Sequence, residues 1–172
     1  MRVFAGIAAT AILIAACGGT AAVSTPTPTA VPTVLPTPVP TVANTFKAEL
    51  KAANEVPPIT DAEATCSGTA TVTFTATTAK FDVVISGCPA GTPINIGHIH
   101  EGAVGVNGTV KISTGIVAGD LTLTGGGVTF SRTATADAAL ITAIMANPAG
   151  YYVNFHSTVH GGGVIRGQLT KA

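Results

Sequence analysis

Alternation of apolar and hydroxyl-bearing positions dominates the chain from residue 69 onward. Ala70, Val72 and Phe74 alternate with Thr69, Thr71, Thr73 and Thr75, the two-residue period of a strand with one buried and one wet face. After a turn near residues 76–79, Phe81, Val83 and Ile85 resume an inward face, so 69–86 reads as a hairpin. Further strands are predicted at 94–100, 109–112, 120–124 and 128–132, the last two joined as a second hairpin by Gly125-Gly126-Gly127. The period then changes. Over 134–146, Leu140, Ile141, Ile144 and Met145 form a stripe at helical spacing, with Thr135 as the expected cap and Asp137 at the positive end. Asn147-Pro148 stops this one short helix, its stripe is read as core packing, and strands at 151–156 and 164–170 close the chain. Short strands separated by Gly and Pro predict an all-β domain, an antiparallel sandwich or barrel.

The first 43 residues follow a different pattern. Arg2 precedes an apolar stretch, Val3 to Ala16, too short to span a bilayer as a helix. It ends in Ile14-Ala15-Ala16-Cys17-Gly18, which resembles the bacterial lipobox. That resemblance implies a signal peptide over 1–16, cleavage before Cys17 and acylation of its sulfur, so that lipid anchors the protein to a membrane without spanning it. From 18 to 43 the chain is mostly Thr, Pro, Ala and Val, without a charge, with proline at 26, 28, 32, 36, 38 and 40. Proline at that density forbids both helix and sheet ladders. Residues 17–43 are therefore expected to be a disordered, polyproline-II-rich stalk, and about 25 residues at ~3.1 Å each hold a domain several tens of Å from the membrane.

What remains, 44–172, is long enough for one domain with its own core. Eight basic and eight acidic residues balance over the chain, leaving no basic stripe to track phosphates, and nucleic acid is excluded as a partner. Cys66 and Cys88 flank the first hairpin at its open end, and an exported domain joins such a pair. The parity is off by one, because Cys66 falls in step with Val72 and Phe74 while Cys88 falls out of step with Val83 and Ile85. A bulge at Ser86-Gly87 or Ser67-Gly68 is needed to absorb the extra residue.

The candidate chemistry lies in the histidines. His98 and His100 share a strand face, and Tyr152, Asn154 and His156 share another. If the two strands are neighbours, three imidazoles converge in a set suited to copper or zinc. His160, among Gly161, Gly162 and Gly163, is expected in solvent, with reach enough to serve as a fourth ligand. The bland alternative is structural: Asn154, Arg166, His98 and His156 hydrogen-bond across strands and to loop carbonyls, pinning residues 102–108, with Glu55, Glu101 or Asp120 as partner to Arg166. Other chemistries fare worse. Ser157 faces away from His156, Glu49, Glu55, Asp61 and Glu63 are scattered with no evident pairing, and the 102–108 loop lacks the lysine of a phosphate cradle. Glu55, just before Val56-Pro57-Pro58, reads as part of an extended edge segment.

Several phrases occur together: Asn54-Glu55-Val56-Pro57-Pro58, Gly97-His98-Ile99-His100-Glu101-Gly102, Asn107-Gly108, Tyr152 to Ser157, and Ile165-Arg166-Gly167-Gln168-Leu169. Together they resemble the CHRD domain across residues 46–171. The resemblance implies a Greek-key-like β domain outside the cytoplasm and no settled activity. The chain departs from that pattern at Val164, where the family has Glu before Ile-Arg, so the acid that would face Arg166 is missing. A second resemblance, to copper-zinc superoxide dismutase, rests on His98, His100 and His156 alone, and the zinc-holding loop of that enzyme has no counterpart. Four histidines are expected to supply at most one metal site, whose copper form would be capable of redox cycling. The expectation is an envelope-anchored, non-catalytic binding module for a protein or glycan partner, with a copper or zinc protein as the alternative.

Overall fold

The computed structural model describes residues 44–172, together with Gly19. The predicted signal peptide, the lipidation site Cys17 and the Thr/Pro stalk lie outside the described residues. Within them the chain is mostly antiparallel β with a single α-helix. The strands are β1 (Asn44–Lys51), β2 (Ser67–Phe74), β3 (Thr78–Ser86), β4 (Ile94–Glu101), β5 (Thr109–Ser113), β6 (Val128–Thr135), β7 (Tyr151–Ser157), β8 (Ile165–Gln168) and β9 (Thr170–Lys171), and α1 (Ala138–Ala146) lies between β6 and β7. They form one sheet in the order β5-β4-β7-β8-β1-β2-β3-β6, with β9 also paired to β1. The end strands β5 and β6 touch, so the sheet curls into a nearly closed barrel. The non-sequential neighbours, β3 with β6, β4 with β7 and β8 with β1, give it a Greek-key character.

The inside of the barrel is apolar, as the alternation predicts. Phe46, Ala48 and Leu50 of β1, Val72 and Phe74 of β2, Phe81, Val83 and Ile85 of β3, Ile99 of β4, and Val153 and Phe155 of β7 are all buried in one cluster. The first hairpin forms as the alternation predicts, running from Ser67 opposite Ser86 to Phe74 opposite Ala79, with a shorter turn than 76–79 because β3 already starts at Thr78. Cys66 and Cys88 are joined. The extra residue between them is Gly87, whose φ of 71° lies in the left-handed region that favours glycine. A side chain there would also run into the Thr65 carbonyl at 2.6 Å.

Two expectations fail. Residues 120–124 do not form a strand: Leu121 and Leu123 are buried, but the only pairing in that region is an isolated bridge between Thr124 and Gly127. The segment from Val128 onward instead runs eight residues along the edge of β3, from Ile85–Val128 to Thr78–Thr135. That ladder satisfies more backbone groups than a five-residue hairpin would. Because it consumes Thr135, the helix starts later than expected, at Ala138. Asp137 caps it, its carboxylate accepting from the backbone N–H groups of Ala139 and Leu140. Ile141 and Ile144 point into the core as the stripe predicts, with Leu140 and Met145 packed against it.

The disulfide closes a loop with a sequence separation of 22, for which loss of unfolded-chain entropy corresponds to ~3 kcal/mol. Replacing Cys66 and Cys88 together by serine should lower the unfolding free energy by about that amount in a urea titration.

Candidate metal centre

The histidines are positioned by the pleat of three adjacent strands. While Ile99, Val153, Phe155 and Ile165 face the barrel core, the alternate residues of β4, β7 and β8 form a polar sheet face. In register, His98 lies opposite Asn154, and Asn154 opposite Arg166. The next row is His100, Tyr152 and Gln168, and His156 lies opposite Ile96. An outward polar face is ordinarily wet. Here His98, His100, Asn154, His156 and Arg166 are all buried, because residues 52–58, 102–108 and 158–163 fold over them.

Hydrogen bonds tie each covering segment down. His100 Nδ1 donates to the Gly108 carbonyl (3.0 Å) and His156 Nδ1 to the Gly161 carbonyl (3.0 Å). Arg166 reaches three places: its Nε donates to the Asn54 carbonyl (2.8 Å), Nη1 to the Val106 carbonyl (3.2 Å) and Nη2 to Asn107 Oδ1 (2.9 Å). Its ion-pair partner is Glu55, with Nε 3.3 Å from Oε2. Asn107 Nδ2 donates to the Val56 carbonyl (2.8 Å), and Gln168 Nε2 to the Gly102 carbonyl (2.6 Å). Tyr152 is sandwiched between the Arg166 guanidinium, 4.9 Å from its ring centroid, and the stacked His100 ring at 5.0 Å.

The three imidazoles converge. One nitrogen from each of His98, His100 and His156 lies within 4.8 Å of the others, and His98 Nδ1 is 3.3 Å from His156 Nε2. Two ligands ~2.0–2.1 Å from a tetrahedral metal lie ~3.3–3.4 Å apart, so this spacing is already that of a coordinated pair. The carbonyl partners also fix the tautomers. With Nδ1–H committed to Gly108 and Gly161, His100 and His156 each present an Nε2 lone pair to the cluster. His98 Nδ1–H then bridges to His156, while His100 Nε2 is buried without a partner. Burial, reinforced by the charges of His156 and His100, drives His98 down to about 4. Burial lowers His100 and His156 too, against the carbonyl hydrogen bonds that raise them. The cluster is therefore three neutral imidazoles at neutral pH, and His98 would ligate through Nδ1 only after that proton moves to its other ring nitrogen.

Four expectations need correction. Glu101 does not join Asn154 and Arg166; at the end of β4 it pairs with Lys111 at 2.7 Å, half-exposed. Glu55 is not on an edge but buried (3% exposed), paired with Arg166, while Val164 packs in the apolar core. Burial pushes its carboxyl up to about 7 despite the pull of Arg166 and then His160. His160 is neither free in solvent nor part of the cluster: its Nδ1 donates to Glu63 Oε2 at 2.6 Å, and its Nε2 is 3.3 Å from Asp61 Oδ2. Asp61 and Glu63, which look scattered in sequence, meet there. Asp120, the other acid considered for Arg166, pairs with Arg132 at 3.6 Å. Only Glu55 carried a sequence signal, its place in Asn54-Glu55-Val56-Pro57-Pro58; nothing local marks Asp61 or Glu63.

Two predictions follow from this geometry. The folded chain holds His98 below its ordinary 6.5, so it binds fewer protons than the unfolded chain. The cluster's contribution to stability is thus complete above pH 6.5 and lost as pH falls toward 4. Thermal unfolding of metal-free protein should show a midpoint dropping across that window, and less steeply in His98→Phe. Arg166→Met strands the Glu55 carboxylate and should cost about 3–5 kcal/mol at pH 8. The loss should be smaller at pH 5, where Glu55 carries its proton, as urea titrations at the two pH values would show.

No curated protein and no solved structure matches the chain. One family model does, the CHRD domain, over residues 46–169. The match takes in β1 through Leu169, with every residue of the polar face and the segments covering it, and it suggests an extracellular interaction module. On that match, covering well over half of its length, the chain belongs to the CHRD domain family.

Proposed function

We propose that this CHRD domain is a metal-binding module that holds one copper or zinc ion on His98, His100 and His156. The observation that carries it is the pairing of fixed tautomers with an unmet donor atom: two Nδ1–H groups held by backbone carbonyls, and a buried His100 Nε2 with nothing to bond. Buried polar atoms are rarely left so, and an outer-shell carbonyl behind each ligand is the usual arrangement around a coordinated histidine. Three imidazoles leave a further coordination position for an exogenous ligand, which suits storage, delivery or redox cycling of the ion. With the lipobox at Cys17 and the Thr/Pro stalk, the reading is of an envelope-anchored, extracytoplasmic module.

A second reading keeps the domain as an interaction module for a protein or glycan. It is favoured by Val104 and Val106, 80% and 51% exposed, on a loop that Arg166, Asn107 and His100 hold in place. Titrating the full-length chain with Cu²⁺ and Zn²⁺ separates the two. Stoichiometric binding is expected, weakened in His98→Ala and His156→Ala by more than the ~10–100-fold typical of losing an outer-shell partner. Binding unchanged in both variants would end the metal reading and leave the loop surface as the place to search.

A further inference from the structure

We infer, resting on the three-histidine reading above, that the lack of any acidic ligand makes this a centre for a monovalent ion, Cu⁺, held more tightly than either Cu²⁺ or Zn²⁺. Charge is the first reason. The convergent group is three histidines, with no Asp, Glu or Cys in it. Their hydrogen-bond partners are the Gly108 and Gly161 carbonyls and one another, so no anion stands behind a ligand. Three neutral imidazoles leave the ion's charge uncompensated, one unit for Cu⁺ and two for the divalent ions. The cost of placing an ion in a poorly polarisable interior grows with the square of its charge, so it is about four times greater for a divalent ion. All three rings are buried, and solvent offsets little of that cost.

A fixed positive charge adds to it. The Arg166 guanidinium lies 4.9 Å from the Tyr152 ring centroid, and His100 stacks on that same ring at 5.0 Å with 6° between the planes. The guanidinium is therefore within about 10 Å of the His100 ring, and it works against positive charge there. Glu55 is its ion-pair partner, but burial pushes that carboxyl up to about 7, so at neutral pH it offsets the guanidinium only in part. A second unit of charge on the ion doubles the repulsion.

Coordination number is the second reason. Zinc on three protein ligands keeps water or another molecule in its fourth position, and Cu²⁺ favours a tetragonal array of four or more ligands. Cu⁺, with a filled d shell and a single charge, is satisfied by three imidazoles and leaves the further position open. Three rings from two adjacent strands, His98 and His100 of β4 and His156 of β7, are what this site supplies.

Competition of the full-length chain against chromogenic chelators ranks the three ions, anaerobically with ascorbate for Cu⁺ and without it for Cu²⁺ and Zn²⁺. Cu⁺ is expected to bind on the order of tenfold tighter or more than either divalent ion. For the copper couple a tenfold preference is an upward potential shift of about 59 mV from the free ion. Glu55→Gln leaves the guanidinium unopposed while keeping every ligand, and should widen the gap by weakening Zn²⁺ more than Cu⁺. His98→Ala should weaken all three. Zn²⁺ or Cu²⁺ binding as tightly as Cu⁺, at a site that His98→Ala destroys, would overturn the inference and leave the three-histidine centre standing. A gap that Glu55→Gln does not widen would overturn it too. If none of the three ions bound, or if His98→Ala left their binding intact, the three-histidine reading would fall and this inference with it.

Discussion

Arg166 is the interaction on which the rest of the site depends. A guanidinium on the outside of a barrel strand would ordinarily extend into water, yet here it is 4% exposed. Burial of that charge is tolerable only because its donors meet two backbone carbonyls, an amide oxygen and a carboxylate. Those acceptors belong to residues 54–55 and 106–107, so satisfying one side chain brings two distant loops down onto the sheet. Once closed, the second of these loops carries the Gly108 carbonyl that orients His100, while the Gly161 carbonyl of the third covering segment orients His156. The polar face becomes a buried, organised cluster through hydrogen bonds and an ion pair.

That burial has a cost and a use. Three buried imidazoles are held in the neutral form, and acid destabilises the fold because the unfolded chain takes up protons the folded one resists. The same neutrality keeps ligand lone pairs available. The contrast with the barrel interior is sharp: Phe46, Phe81, Phe155 and their neighbours supply the stability, which the loop-covered face draws on to keep His100 Nε2 and Glu55 Oε1 buried and unmet. Unmet atoms of this kind are expected where a ligand completes the structure.

The elements legible in the sequence were those set by local periodicity. Alternation along 69–86 located the first hairpin and its inward faces, and the off-by-one cysteine parity correctly required an extra residue, found at Gly87. The spacing of His98, His100 and His156 placed them on one polar face for the same reason. Where two local patterns competed, the outcome turned on distant partners. Leu121 and Leu123 alternate like a strand, but β6 pairs with the edge of β3 instead, which also displaces the helix start from Thr135 to Asp137. Of the acids, Glu55 was among the three candidates for Arg166, but the choice between them and the role of Glu63 were not legible. Glu55 reaches Arg166 and Glu63 reaches His160 across roughly a hundred residues of chain, and no periodicity encodes a contact at that range.

The central claim is that the buried histidines are ligands. X-ray absorption at the zinc edge of the full-length chain, loaded with one equivalent of Zn²⁺, addresses it most directly. The account predicts a first shell at ~2.0–2.1 Å with the multiple-scattering signature of three imidazoles, lost in His98→Ala. A shell of oxygens with no imidazole scattering, identical in that variant, would contradict it.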